Sequence, residues 1–362
     1  MSKIQGLDSI RFICALFVVI YHIGAPPIFG DSTHGLSHLL AGIFRELFNG
    51  PAAVIVFFVI SGFCIHYPHR NGVPVALNAF YTRRLLRIGL PLLVVEAVSE
   101  YAGVRREAMQ HGIVWSLIAE IIYYLTYPLL LTLRHRFGWS RMIAVSFGIA
   151  WAIVLLLPDS QIQVFDTLAE PGDYAAYGSA LNWLIGLPCW LLGCLLAERS
   201  DGLPATSNGQ IWLFRLAVIA ASYLAVLLRW HLPGASIGYP WSLNVFALLV
   251  YAWLQREIGY SRVHPPLPAL EWGGAWSYSL YLVHLPLSYF AANLPAPVGA
   301  SAMLIKNLTT MAVVLICAYL CYWVIERPAH RLAVRLSTLL KDRPSAIDAD
   351  RVRADKPLPR AD

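Results

Sequence analysis

Two histidines, one glutamate and three arginines stand out in a chain whose long apolar runs are otherwise almost free of ionisable groups. His22 follows Arg11 by eleven residues, and eleven steps of 100° make three turns plus about 20°, so on a helix the two share a face about 16 Å apart along the axis. Asp8 stands three residues before Arg11 and can pair with it from the same side. An imidazole with an unperturbed pKa of about 6.5 is able to take a proton from a hydroxyl at physiological pH. A histidine in an apolar helix is equally well a hydrogen-bonded core residue, and spacing alone leaves both readings open.

Glu120 lies in the apolar run HGIVWSLIAEIIYYLTYP. A carboxylate there must be paired, protonated or open to a water-filled cavity. His284 closes the segment WSYSLYLVHLP, where Ser277, Tyr281 and His284 fall at i, i+4 and i+7 and so line one helix face. Such a stripe faces a bundle interior or a cavity, in contact with a substrate or with another helix. Arg83, Arg84 and Arg87 lie within one turn of each other in YTRRLLRI. Three arginines without a lysine suit phosphate, because guanidinium presents a two-pronged fork; membrane topology alone accounts for them too.

The elements that must hold these groups follow from composition. Charged residues number 48 of 362, or 13%, and residues 326–362 contain 15 of them. A soluble domain carries about 25%. Hydrophobic residues reach 58%, which excludes a cytosolic enzyme, a disordered chain and a nucleic-acid binder in spite of a net charge of +6. The fold class is therefore all-α, a polytopic membrane protein. At roughly 20 apolar residues per crossing, ten spans are expected near 7–25, 51–67, 88–104, 113–133, 142–157, 180–197, 211–229, 238–255, 273–293 and 304–325. With both termini cytoplasmic, 21 of the 27 Lys and Arg residues fall in inside segments and five in outside ones, in agreement with the positive-inside rule. The loop 158–179 has four acidic residues and no Lys or Arg, and is expected outside.

Residues 1–335 read as one membrane-embedded domain, and 336–362 as a charged cytoplasmic tail, disordered by composition. The first apolar stretch, with Arg11 at its start and His22 inside it, does not read as a cleavable signal peptide. The six cysteines all sit in apolar runs and read as small buried hydrophobes. Cys317 and Cys321 are four apart, but no His or acidic cluster accompanies them, so no metal site is expected.

Taken together, these segments resemble the acyltransferase-3 family of integral-membrane acyltransferases. The resemblance covers about residues 5–335. Leu7-Asp8-Ser9-Ile10-Arg11 followed by His22 looks like the family's Arg-x10-His signature, with Ser9 where Gly is usual. Residues 50–65 (GPAAVIVFFVISGFCI) resemble its second helix, with Pro51, Ala52 and Cys64 as departures. Arg84 and Arg87 match its cytoplasmic Arg-x-x-Arg motif. Trp115, Leu117, Glu120, Tyr124 and Pro128 fit a further helix motif. Trp276 to Pro286 fits the SYSLYLxHxP helix, and Glu326-Arg327-Pro328 the Glu-Arg-Pro ending.

The resemblance implies transfer of an acyl group, most often acetyl, from cytosolic acyl-CoA to a hydroxyl of a cell-surface or exported glycan, in a bacterial inner membrane. His22 would be the general base, with Arg11 and Glu120 as further catalytic residues. Arg84, Arg87 and Arg83 would bind the phosphates of the donor, acyl-CoA, while Asp8, Ser277, Tyr281 and His284 would bind or orient substrate. Direct attack by the acceptor is preferred over an acyl-histidine relay, since no Ser or Cys nucleophile arrangement stands out. The same chemistry on a small-molecule, lipid or peptidoglycan acceptor is the alternative. A secondary transporter is a more distant one, and the chain shows neither inverted repeats nor paired broken helices.

Overall fold

The computed structural model describes residues 4–29, 35–104, 109–157, 172–231, 237–295 and 298–341. Helices account for all of its regular secondary structure among those residues. Twelve are named here: α1 (Leu7–Ile23), α2 (Leu36–Glu46), α3 (Gly50–His66), α4 (Leu77–Tyr101), α5 (Trp115–Leu156), α6 (Gly178–Arg199), α7 (Asn208–Val226), α8 (Tyr239–Ser261), α9 (Pro268–Gly274), α10 (Ser277–Ala292), α11 (Ala300–Cys321) and α12 (Arg327–Lys341). Five helical stretches among the described residues are long and apolar enough to cross a membrane: Leu36–Gly72, Gly112–Leu156, Tyr174–Gly202, Asn208–His231 and Ala300–Leu340. The chain is an all-α membrane protein.

The helix α3 sits at the centre. It is apolar all round, as a fully enclosed helix must be, and nearly every residue from Gly50 to His66 is buried. Asn49 caps it by accepting from the Ala52 amide at 3.1 Å, and Pro51 fills the first turn, where its missing N–H is no loss. Against it lies α6, so close that glycine is required on both sides. A Cβ on Gly62 would stand 2.0 Å from the Trp190 carbonyl oxygen, and one on Gly193 2.0 Å from that of Val59. Small residues at such a crossing let backbones approach in the absence of a hydrophobic driving force.

Three departures from the apolar-run expectation have physical reasons. The spans expected at 113–133 and 142–157 lie in one helical element, α5, broken at Gly138, whose φ of 72° and ψ of 155° only glycine adopts readily. The helix α2, eleven residues with none buried, is too short to register against a ruler of about 20. Finally, α11 runs through a π-turn at Tyr322–Glu326 into α12, so residues 336–341 are helical where composition suggests disorder. Most of the expected outside loop, 158–171, and residues 342–362 of the tail lie outside the described residues.

Candidate functional site

Helix α1 carries both ends of the site. Its first-turn donors, the Gly6 and Ser9 amides, are satisfied by Glu271 of α9 at 3.0 and 3.1 Å, and the Ser9 hydroxyl donates to the same oxygen at 2.8 Å. This closes the exposed start of the helix and holds α1 against α9. Arg11 faces the interior and lies 3.6 Å from Asp8.

At the other end of α1, His22 and His284 meet. His284 is fully buried on α10, and its Nε2 lies 3.3 Å from Nδ1 of His22, with ring centroids 5.0 Å apart. The tautomers follow from the carbonyls. Nδ1 of His284 is 2.7 Å from the Tyr281 carbonyl oxygen, and Nδ1 of His22 is 2.9 Å from that of Val18. A carbonyl oxygen only accepts, so both Nδ1 atoms carry hydrogen. His284 then turns a lone pair toward the N–H of His22. Nε2 of His22 is left as an acceptor with no hydrogen-bond partner among the described residues.

Between these ends lies a cavity of about 60 Å³ walled by α1, α3, α5 and α10. Arg11, Glu120, Ser277, Tyr278 and Tyr281 all line it. Glu120 accepts from the Ser61 hydroxyl at 2.7 Å and from the Tyr124 hydroxyl. Ser61 in turn accepts from the Trp190 indole at 3.2 Å. Both Glu120 and Ser61 are thereby fixed with polar atoms toward the cavity. The Tyr281 hydroxyl is 2.8 Å from Ser116, which donates to the Ile113 carbonyl. Tyr281 thus links the cavity, by its hydroxyl, to the histidine pair, by its carbonyl.

The arginines of α4 lie at the Arg11 end. Arg84 and Arg11 share Tyr124 and Cys64 as electrostatic neighbours. The Tyr278 hydroxyl donates to the Ile88 carbonyl at 2.7 Å, tying α10 to α4 one residue past Arg87. Glu326 accepts from the amide and hydroxyl of Ser279 at 3.1 and 2.6 Å, and is within electrostatic reach of both Arg87 and Arg11. Arg83 is held toward α12, its Nε and an Nη donating to Ser337.

The structure therefore brings Arg11, Glu120, Ser277 and Tyr281 to one cavity, pairs His22 with His284, and sets Asp8 beside Arg11. Arg84 and Arg87 adjoin the cavity's Arg11 end, and Arg83 turns toward α12. Sequence reasoning did not single out Ser61, Ser116, Tyr278 or Glu271 as parts of this arrangement. Ser61 lies in the 50–65 segment, which enters the resemblance as a whole with no role for Ser61 itself, and Glu271 lies in a helix too short to be expected.

Residues 4–99 and 107–327 match the model of the acyltransferase-3 family, described as an acyltransferase domain. The chain is 26% identical over 384 aligned residues to acyltransferase MdmB of Streptomyces mycarofaciens, covering 92% of this chain and 93% of that one. It is 23% identical to Nodulation protein 10 of Rhizobium leguminosarum bv. viciae, covering 92% of this chain and 95% of that one. No solved structure matches. With its apolar helices and a match that spans nearly the whole described chain, the protein belongs to the acyltransferase-3 family and is a membrane acyltransferase.

Proposed function

We propose that the chain moves an acyl group, expected to be acetyl, from cytosolic acyl-CoA to a hydroxyl of a cell-surface or exported glycan, in a bacterial cytoplasmic membrane. The observation that carries this reading is a seam of polar groups beside α1. The α4 arginines adjoin Arg11, the Arg11–Glu120 cavity follows, and Tyr281 connects that cavity to the His22–His284 pair, in which Nε2 of His22 has no hydrogen-bond partner among the described residues.

In this reading Arg84 and Arg87 hold the donor's phosphates at the inner face, and its thioester arm enters the seam. Nε2 of His22 takes the acceptor's hydroxyl proton as the oxygen attacks the thioester carbonyl. The carbon–sulfur bond breaks, and the CoA thiolate leaves, taking up the proton that Nε2 of His22 received from the acceptor. The imidazolium formed on His22 keeps its Nδ1–H on the Val18 carbonyl and on neutral His284, which offers a lone pair rather than a second positive charge. Arg11, about three turns away from His22 on α1, is placed to hold negative charge of the donor at the cavity rather than at the reacting carbonyl, and Glu120 to orient the group that occupies the cavity.

Two measurements test this. Changing both Arg84 and Arg87 to Ala should weaken acetyl-CoA binding to the purified, folded protein by at least tenfold, the scale of one lost charged hydrogen bond. Unchanged affinity would return these residues to topology signals. A cysteine placed at residue 166 should be labelled from outside the cell, and labelling from the cytosolic side alone would overturn the orientation on which donor and acceptor sides depend.

A further inference from the structure

The family match ends at residue 327, and α12 begins there. This helix lies against α4 through Ala329, Ala333 and Ser337, all buried and spaced by one turn. Small side chains along that line bring the two backbones close. The register is set by Arg83, whose Nε and Nη lie 3.3 and 3.1 Å from the Ser337 hydroxyl oxygen. The Ser337 hydroxyl donates to the Val334 carbonyl at 2.8 Å, so its lone pairs face the guanidinium. His330 precedes Ser337 by seven residues, two turns less about 20°, and so lies on the same face about 10 Å along the axis. It is exposed, and its electrostatic neighbours are Arg87, Arg83 and Arg84.

Four basic side chains from two helices are thus gathered at one place. Among the described residues, the carboxylate within electrostatic reach of Arg87, Glu326, is turned onto Ser279 and accepts from it twice. The other basic residues of α12 contribute less. Arg327 lies over the Trp323 ring at 3.9 Å, and Arg331 and Arg335 are exposed. Like charges held together by tight backbone packing repel one another, and a polyanion relieves that repulsion. Phosphate fits best, since guanidinium and imidazole both donate to it.

We propose that α12 is the second wall of the phosphate site, with His330 as a further phosphate-binding side chain and Ser337 as the residue that positions Arg83. This rests on the assignment of Arg84 and Arg87 to the donor's phosphates. It makes the helix beyond the family's matched region part of the donor site. The shared chemistry, phosphate at the inner face, is also offered by anionic lipid headgroups, and the test separates the two sources.

The full chain in phosphatidylcholine nanodiscs is titrated with coenzyme A, alongside the variants His330→Ala, His330→Arg, Ser337→Val, Ser337→Thr and the double Arg84→Ala, Arg87→Ala. His330→Ala and Ser337→Val should each weaken binding by about tenfold at an unchanged melting temperature. His330→Arg and Ser337→Thr should restore it, which a merely structural role would not require. If the arginine double variant loses affinity while His330→Ala and Ser337→Val keep it, α12 is no part of the site and only this proposal falls. If the arginine variant also binds normally, the donor assignment beneath it falls first. Repeating the titration with phosphatidylglycerol in the discs distinguishes the sources. An effect of His330→Ala confined to those discs would make the ligand a lipid headgroup and overturn the CoA assignment.

Discussion

His22 and His66 each stand in the last turn of an apolar helix, α1 and α3, yet their surroundings differ in one decisive respect. His66 is fully buried with both ring nitrogens engaged: Nε2 donates to Glu198 at 2.7 Å, and Nδ1 lies 2.9 Å from the Tyr127 hydroxyl. Glu198 also takes a hydrogen bond from Trp139 at 3.3 Å and an ion pair from Arg134 at 2.5 Å, so that cluster is closed on itself. His22 is half-buried, its Nδ1 is held by Val18 and His284, and its Nε2 has no hydrogen-bond partner among the described residues. An imidazole needs an uncommitted lone pair to move a proton. The same residue type therefore joins three helices in one place and can act on a substrate in the other.

The sharpest way to break this comparison is at His22. His22→Ala should insert, purify and bind acetyl-CoA like the wild type, yet transfer the acyl group at least about 10²-fold more slowly, the usual scale for a lost general base. His22→Gln, which keeps hydrogen-bonding capacity without basicity, should be similarly impaired. The wild-type rate should rise with pH until His22 is neutral and then level off. Near-wild-type turnover in the Gln variant would make His22 a packing residue and move the base to His284.

A smaller effect is expected at His284. Its lone pair holds the His22 N–H in place and accepts part of the charge formed on the ring. His284→Leu should slow transfer by about 10–100-fold, the scale of a lost hydrogen bond to a group that becomes charged. It should also shift the pH at which the rate levels. A loss of rate with an unmoved pH profile would reduce His284 to packing.

What the sequence made legible here is orientation, and what it left dark is partnership. Helical phase put Arg11 with His22 and Ser277 with Tyr281 and His284, and the structure turns Ser277, Tyr281 and His284 into the buried interior. Phase reports which face of a helix looks inward, not which helix it meets. Glu120 finds Ser61 across 59 residues, Arg83 finds Ser337 across 254, and His22 finds His284 across 262. No local pattern encodes those pairings; they depend on close crossings such as Gly62 against Gly193. Hydropathy also hid the break at Gly138, because both flanking segments are equally apolar, and α2, because an eleven-residue helix cannot span.

The His66 cluster should give the smallest effect on turnover and a clear one on stability. His66→Ala leaves the partly buried Glu198 beside Arg134 with one donor missing, and leaves the Tyr127 hydroxyl without its acceptor. Breaking a buried, hydrogen-bonded charge cluster costs about 3–5 kcal/mol, and Glu198 is only partly buried, so the lower end or less applies. The variant should melt at a lower temperature in detergent. Once corrected for the folded fraction, its transfer rate and acetyl-CoA affinity should match the wild type, because no atom of the cluster lines the Arg11–Glu120 cavity. His66→Gln, which restores a donor to Glu198, should recover part of the lost stability. A His66→Ala protein with a normal melting temperature and a lost transfer rate would reverse the comparison, and would mark the closed cluster as the working one.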